Sequence, residues 1–168
     1  MSKKKKKVPQ LSMKWYYALI YTLLPLFLLF SAYQILRDIF RLCTGNTQSF
    51  FTAGRTPLPV TPPLVTLMVF QEIIVAVTFV IGLLAWFQLI KKKKRGVSLY
   101  LICCILAVVN GVCFPLKLLM VRSQIFSFEN TVFFGIVLVI SAVLLIGGEI
   151  AFFILNRIYF QKRESFFE

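Results

Sequence analysis

Four stretches of this chain are nearly free of charge and long enough to cross a bilayer: residues 15–36, 71–90, 97–116 and 132–155. About 20 apolar residues in a helix span the hydrocarbon core. Only helices and closed barrels satisfy their backbone hydrogen bonds there. The four stretches take up about half of the 168 residues, which leaves little for a soluble domain. The expected fold is therefore all-α: an integral membrane four-helix bundle built from two antiparallel helical hairpins. A basic arm (1–14) precedes the four-span domain (15–155), which contains an outer loop (44–63), and a tail follows (156–168). Apolar residues make up 59% and charged residues 15%, against about 45–50% and about 25% in soluble domains. Most cytosolic enzyme and nucleic-acid-binding folds are thereby excluded.

The charge of +13 reads as a topology signal. Fourteen of the 19 Lys and Arg lie in the arm, the second connector and the tail; five lie in the other two connectors. With four spans, the three richer segments share one side. Basic connectors stay in the cytoplasm, so the expectation is a cell-membrane protein with both termini inside. Trp15, Tyr16, Tyr17, Trp86, Tyr100 and Tyr159 fall at that same interface, where Trp and Tyr concentrate. Lys3, Lys4, Lys5, Lys6 and Lys7 of the arm, with Lys91, Lys92, Lys93 and Lys94 of the second connector, are also candidates for anionic lipid head groups. Each is worth roughly 1 kcal/mol near such a surface. Nucleic acid ranks last, because no aromatic or Arg-rich pattern accompanies the lysines.

The chain has no His, which removes the commonest metal ligand and general base. Of the cysteines, Cys103, Cys104 and Cys113 lie inside the third span and read as small apolar residues. Only Cys43 reaches the outer side, so a Cys43–Cys113 bridge is not expected. No phosphate loop, metal-ligand set, nucleophile motif or dinucleotide fingerprint occurs. The expectation is a non-enzymatic protein without cofactor or metal. The first stretch is longer than a signal peptide's core and reads as a retained span.

Local signals add detail. Pro25 predicts a kink between Tyr21 and Pro25. Gly45 is an expected helix end and Asn130 an expected N-cap. The outer loop carries Thr56-Pro57-Leu58-Pro59-Val60-Thr61-Pro62-Pro63, which favours polyproline II; it reads as a stiff connector, with a lid or docking strip as the alternative. Lys91–Gly96 is a six-residue turn that makes spans two and three antiparallel neighbours. Asn110–Pro115 is the expected irregular end of span three.

Four polar residues in the membrane are the candidate functional residues: Glu149, Glu72, Asn110 and Tyr21. An ionisable residue at that depth is a functional candidate by default. Glu72, near the outer interface, reads as an ion pair with one of Arg37, Arg41, Arg55, Lys117 and Arg122. Glu149 is the deeper one. A centred acid costs about 2.5–3.5 kcal/mol, whereas the apolar side chains of that span return about 5–10 kcal/mol. Insertion tolerates the acid, which need not be functional. It is expected to face the bundle interior, at least partly protonated, with Tyr21 as a hydrogen-bond donor. Gly147 and Gly148 are expected to let another helix come close, as are the pairs Ala107/Gly111 and Gly147/Ala151.

Through Lys14-Trp15-Tyr16-Tyr17 before span one and Lys93-Lys94-Arg95-Gly96 before span three, the chain resembles small four-helix membrane proteins of Gram-positive gut bacteria. The resemblance covers the layout of most of the chain. It implies a four-span plasma-membrane protein and transfers no active residues. Two functions follow. One is an accessory or interaction protein that associates with other membrane proteins or with itself. The other is a small transporter or channel subunit using Glu149, with Asn110 along its path. An apolar lining along spans two and four speaks against a wide aqueous pore.

Overall fold

The computed structural model describes residues 12–44, 52–53, 56–57, 61–125 and 128–167. Residues 1–11 of the basic arm with Lys3–Lys7, Gly45 and most of the outer loop lie outside the described residues. The fold is helical, and among the described residues four helices are long and apolar enough to cross a membrane: Lys14–Phe40, Pro62–Ile90, Lys94–Lys117 and Gly135–Gln161. One two-residue ladder accompanies them, in which β1 (Thr52–Ala53) pairs antiparallel with β2 (Thr56–Pro57).

The first helix is continuous but not uniform. It runs as α1 (Lys14–Ala18), one π-helical turn (Leu19–Leu23) and α2 (Leu24–Cys43). The turn sits where Pro25 was expected to kink the chain. A π turn accepts from five residues on, and the Leu24 N–H indeed bonds the Leu19 carbonyl. In that register the Ile20 carbonyl would take the N–H of residue 25, which proline lacks. The Trp86 indole supplies the missing donor to Ile20 at 3.0 Å.

The next helix, α3 (Pro62–Ile90), starts earlier than the apolar run suggested. Pro62 and Pro63 occupy its first turn, where a missing N–H costs nothing and the fixed φ suits a helix. They are thus helical and not part of the connector. The link to α4 (Lys94–Ile125) is three residues, Lys91–Lys93, shorter than the expected six. Lys92 takes a positive φ of 53° there. Gly96 explains the tightness: a Cβ on it would stand 2.6 Å from the Leu89 nitrogen and 2.8 Å from the Gln88 carbonyl carbon. Backbone meets backbone at this point, and only glycine fits.

α4 continues through Asn110–Pro115 to Ile125. The expected break there is absent; Pro115 sits inside the helix, and its ring removes only one backbone donor. α5 (Phe128–Gln161) begins before Asn130, which is therefore a first-turn residue and not the cap. The helices pack in chain order, α2 on α3, α3 on α4 and α4 on α5, with the α3–α4 pair the most intimate.

Both ends of the described chain meet the α3–α4 turn at one end of the molecule. The Arg163 guanidinium donates to the Ser12 carbonyl at 2.9 and 3.2 Å. The Tyr16 hydroxyl donates to the Leu89 carbonyl. The core concentrates at this end, around Tyr16, Leu19, Leu89, Tyr100, Phe160 and Phe167. A 3₁₀ turn, Glu164–Phe166, brings Phe166 and Phe167 edge-on to Tyr16 at 5.7 and 5.4 Å between ring centres. Burying aromatic rings edge to face in this way adds to their area term.

Candidate functional site

At membrane depth the first and last helices separate. Their contact is made at the terminal end, where Trp15 meets α5. The Trp15 indole donates to the Asn156 carbonyl oxygen at 3.0 Å and stands edge-on to Phe152. Asn156 is buried and returns its own amide N–H to the Phe152 carbonyl at 2.8 Å. The Tyr159 hydroxyl accepts the Tyr16 backbone N–H at 3.1 Å, one of the orphan donors of a helix start. Past this staple a cavity of about 390 Å³ opens between the two helices. Leu19, Leu23, Leu24 and Phe27 form one wall; Leu145, Gly148, Glu149 and Phe152 form the other; Tyr100, Cys103, Cys104 and Ala107 of α4 form the floor. Leu23, Phe27, Leu145 and Phe152 are half-exposed at its mouth, so it opens sideways.

Glu149 lines this cleft, and its neighbours differ from those expected. Its Oε2 is buried without a hydrogen-bond partner among the described residues. The carboxyl packs against Gly111 of α4: a Cβ there would collide with Oε2 and come within 2.9 Å of Leu145. Gly111 is thus the glycine that lets α4 and α5 approach. Gly147 and Gly148 are not, since among the described residues no atom lies within 4 Å of a Cβ built on either. Tyr21 is not a donor to Glu149. It is 71% exposed and stacks on Tyr17, while Leu19, Leu23 and Leu24 line the cleft.

Asn110 precedes Gly111, and its Oδ1 is also buried without a partner among the described residues. It does not line the cleft. Glu72 stands apart from both. The ion pair made by Arg37 is with its neighbour Asp38, at 2.9 and 3.1 Å. Asp38 is buried, and Glu72 and Lys117 lie within electrostatic range of this pair. The side chains of Arg41, Arg55 and Arg122 lie outside the described residues. All four cysteines are free thiols, Cys43 exposed and the others buried. Among the described residues no three His, Cys, Asp or Glu side chains cluster as metal ligands do.

Sequence reasoning missed two residues. Asn156 closes the staple with Trp15, although it sits one position past the expected end of span four. Tyr100 was legible only as an interface aromatic, yet it is 4% exposed and its hydroxyl has no hydrogen-bond partner among the described residues. No protein-family model matches the chain, and comparison with curated proteins and with solved structures finds no match.

Proposed function

We propose that this chain is a non-enzymatic accessory protein of the cell membrane, crossing it four times with both termini in the cytoplasm, and that it acts by lateral association with another membrane protein. The orientation rests on the skew of Lys and Arg toward the end where the termini and the α3–α4 turn meet. Lys3–Lys7 of the arm and Lys91–Lys94 also engage anionic lipid.

One observation supports association above all. Only 6% of the most apolar part of α5 is buried, against 28%, 33% and 29% in the other three spans. Exposed leucines alone mean little in lipid, which is as apolar as they are. Exposed Gly147, Gly148 and Ala151 on the same helix mean more. Small residues let helix backbones approach, and close packing drives association in membranes. A photo-crosslinker at Gly147, compared with one at Leu36, which is also exposed, tests the reading in native membranes. A discrete adduct at Gly147 and none at Leu36 is expected. The same diffuse adducts at both positions would contradict it.

The second reading, a small transporter or channel subunit using Glu149, is favoured by the position of that carboxyl on a cleft. It is weakened by the apolar lining of the cleft and its sideways opening. Flux in liposomes that Glu149→Gln abolishes is its expected signature, and flux unchanged by that substitution refutes it.

A further inference from the structure

We propose that the cleft between the first and last helices holds one hydrocarbon chain of a membrane lipid. This rests on the four crossings proposed above and not on the association with a partner.

The lining of the cleft decides what kind of occupant it accepts. It is almost wholly apolar. The two unpartnered oxygens near it are turned away and have almost no accessible surface: Glu149 Oε2 packs against Gly111, and the Tyr100 hydroxyl lies beside Cys104. A buried water needs about two to four polar partners, so water gains nothing here, and neither does a polar ligand. The occupant is a hydrocarbon.

Size selects among hydrocarbons. A cavity of roughly 150 Å³ admits benzene. At about 390 Å³ the cleft scales from that to on the order of fifteen carbons, one fatty chain. A helix of a second copy does not fit. It is about 10–12 Å across, and the ~12 Å length that matches Leu19–Phe27 would fill roughly 900 Å³.

Position supplies the source. Leu19 and Phe27 stand roughly 8 and 20 Å past Lys14, the start of the first span, at about 1.5 Å per residue. A hydrocarbon core is about 30 Å thick, so this depth is the chain region of one leaflet. Leu23, Phe27, Leu145 and Phe152 are half-exposed along the sideways mouth. Trp15 and Asn156 close the cleft toward the termini. A chain therefore enters from the bilayer, through the side. Moving from bilayer to cleft exposes no new surface to water, so the hydrophobic effect does not drive it. Contact does. Atoms around a void lose their dispersion partners, and a chain seated between three helices restores them.

The full-length chain in nanodiscs of a phosphatidylcholine with a diazirine in its acyl chain tests this, by photolysis and peptide mass spectrometry. Cys103 and Cys104 on the floor are buried, whereas Leu29 and Val139 are exposed on the outer surface. Adducts are expected on the floor, at Cys103, Cys104 or Ala107, in yields within tenfold of those at Leu29 and Val139. Ala107→Phe, which fills the floor, is expected to lower the floor adducts at least tenfold and leave the other two unchanged. Adducts at Leu29 and Val139 with none on the floor would overturn the proposal and leave the membrane crossings standing. No adduct at any position would overturn both. Floor adducts undiminished in Ala107→Phe would also overturn it, because they would not arise in the cleft. If Ala107→Phe does not fold, the floor adducts of the unaltered chain still decide.

Discussion

The Trp86 indole N–H reaches the Ile20 carbonyl at 3.0 Å, and this bond explains how a proline sits in the middle of the first helix. Pro25 removes the donor that the π register assigns to Ile20, and an aromatic residue on α3 replaces it. Trp86→Phe therefore orphans a buried carbonyl, which costs about 1–3 kcal/mol. Thermal unfolding in mild detergent should show a lowered Tm. The loss should shrink in a Pro25→Ala background, where residue 25 recovers its N–H. An equal loss in both backgrounds would mean that the bond and the proline are unconnected.

Gly96 and Gly147 give opposite expectations for the same substitution. Gly96→Ala drives a methyl into the Leu89 and Gln88 backbone. Overpacking of this kind costs about 1–3 kcal/mol, and backbone cannot yield as a side chain would. Gly147→Ala meets nothing within 4 Å among the described residues and should hold or raise monomer stability, by up to about 1 kcal/mol, because alanine is the better helix former. Unfolding midpoints of the two variants, measured side by side, check this.

Asn156 fastens the last helix to the first. Asn156→Leu removes the acceptor for Trp15, keeps the volume roughly constant and should lower stability by about 1 kcal/mol or more. Trp15 should also become more accessible to an aqueous quencher such as acrylamide, since its ring loses its tether. Unchanged quenching would show that Phe152 alone holds it.

The C-terminal aromatics should differ in importance. Phe167 is 4% exposed, between Tyr16 and Phe160, whereas Phe166 is only partly buried beneath Lys92. Truncating a buried Phe costs about 3–5 kcal/mol in a well-packed core. Phe167→Ala should therefore lower the Tm clearly more than Phe166→Ala does. Glu164→Gln breaks only the exposed Lys94–Glu164 pair, at 3.2 Å, and should change stability by less than about 1 kcal/mol.

The helical fold was legible because its signal is coarse. Length and apolarity locate four spans whatever the packing. Helix ends were less legible: Pro62-Pro63 reads as a connector until its place at a helix start is seen, and Asn110–Pro115 reads as a break although the helix runs through it. The cleft was half legible. An acid in span four announces itself, so Glu149 stood out. Its neighbours did not, because they depend on which helix faces pack together: Leu23 and Leu24 line the cleft and Tyr21 does not. Asn156 gave no signal along the chain, and Tyr100 only that of an interface aromatic. Their role depends on which helices come together, and hydropathy does not encode that.

Labelling with a membrane-impermeant maleimide in intact cells tests the central claim, four crossings with both termini inside, most directly. Cys43 is exposed at the loop end and serves as the outer probe. Ser12→Cys and Ser165→Cys, each with Cys43→Ser, are the inner probes; the buried Cys103, Cys104 and Cys113 stay silent. The account predicts that Cys43 labels in intact cells, and that positions 12 and 165 label only after permeabilisation. Positions 12 and 165 labelling from opposite sides, or Cys43 labelling only after permeabilisation, would contradict it.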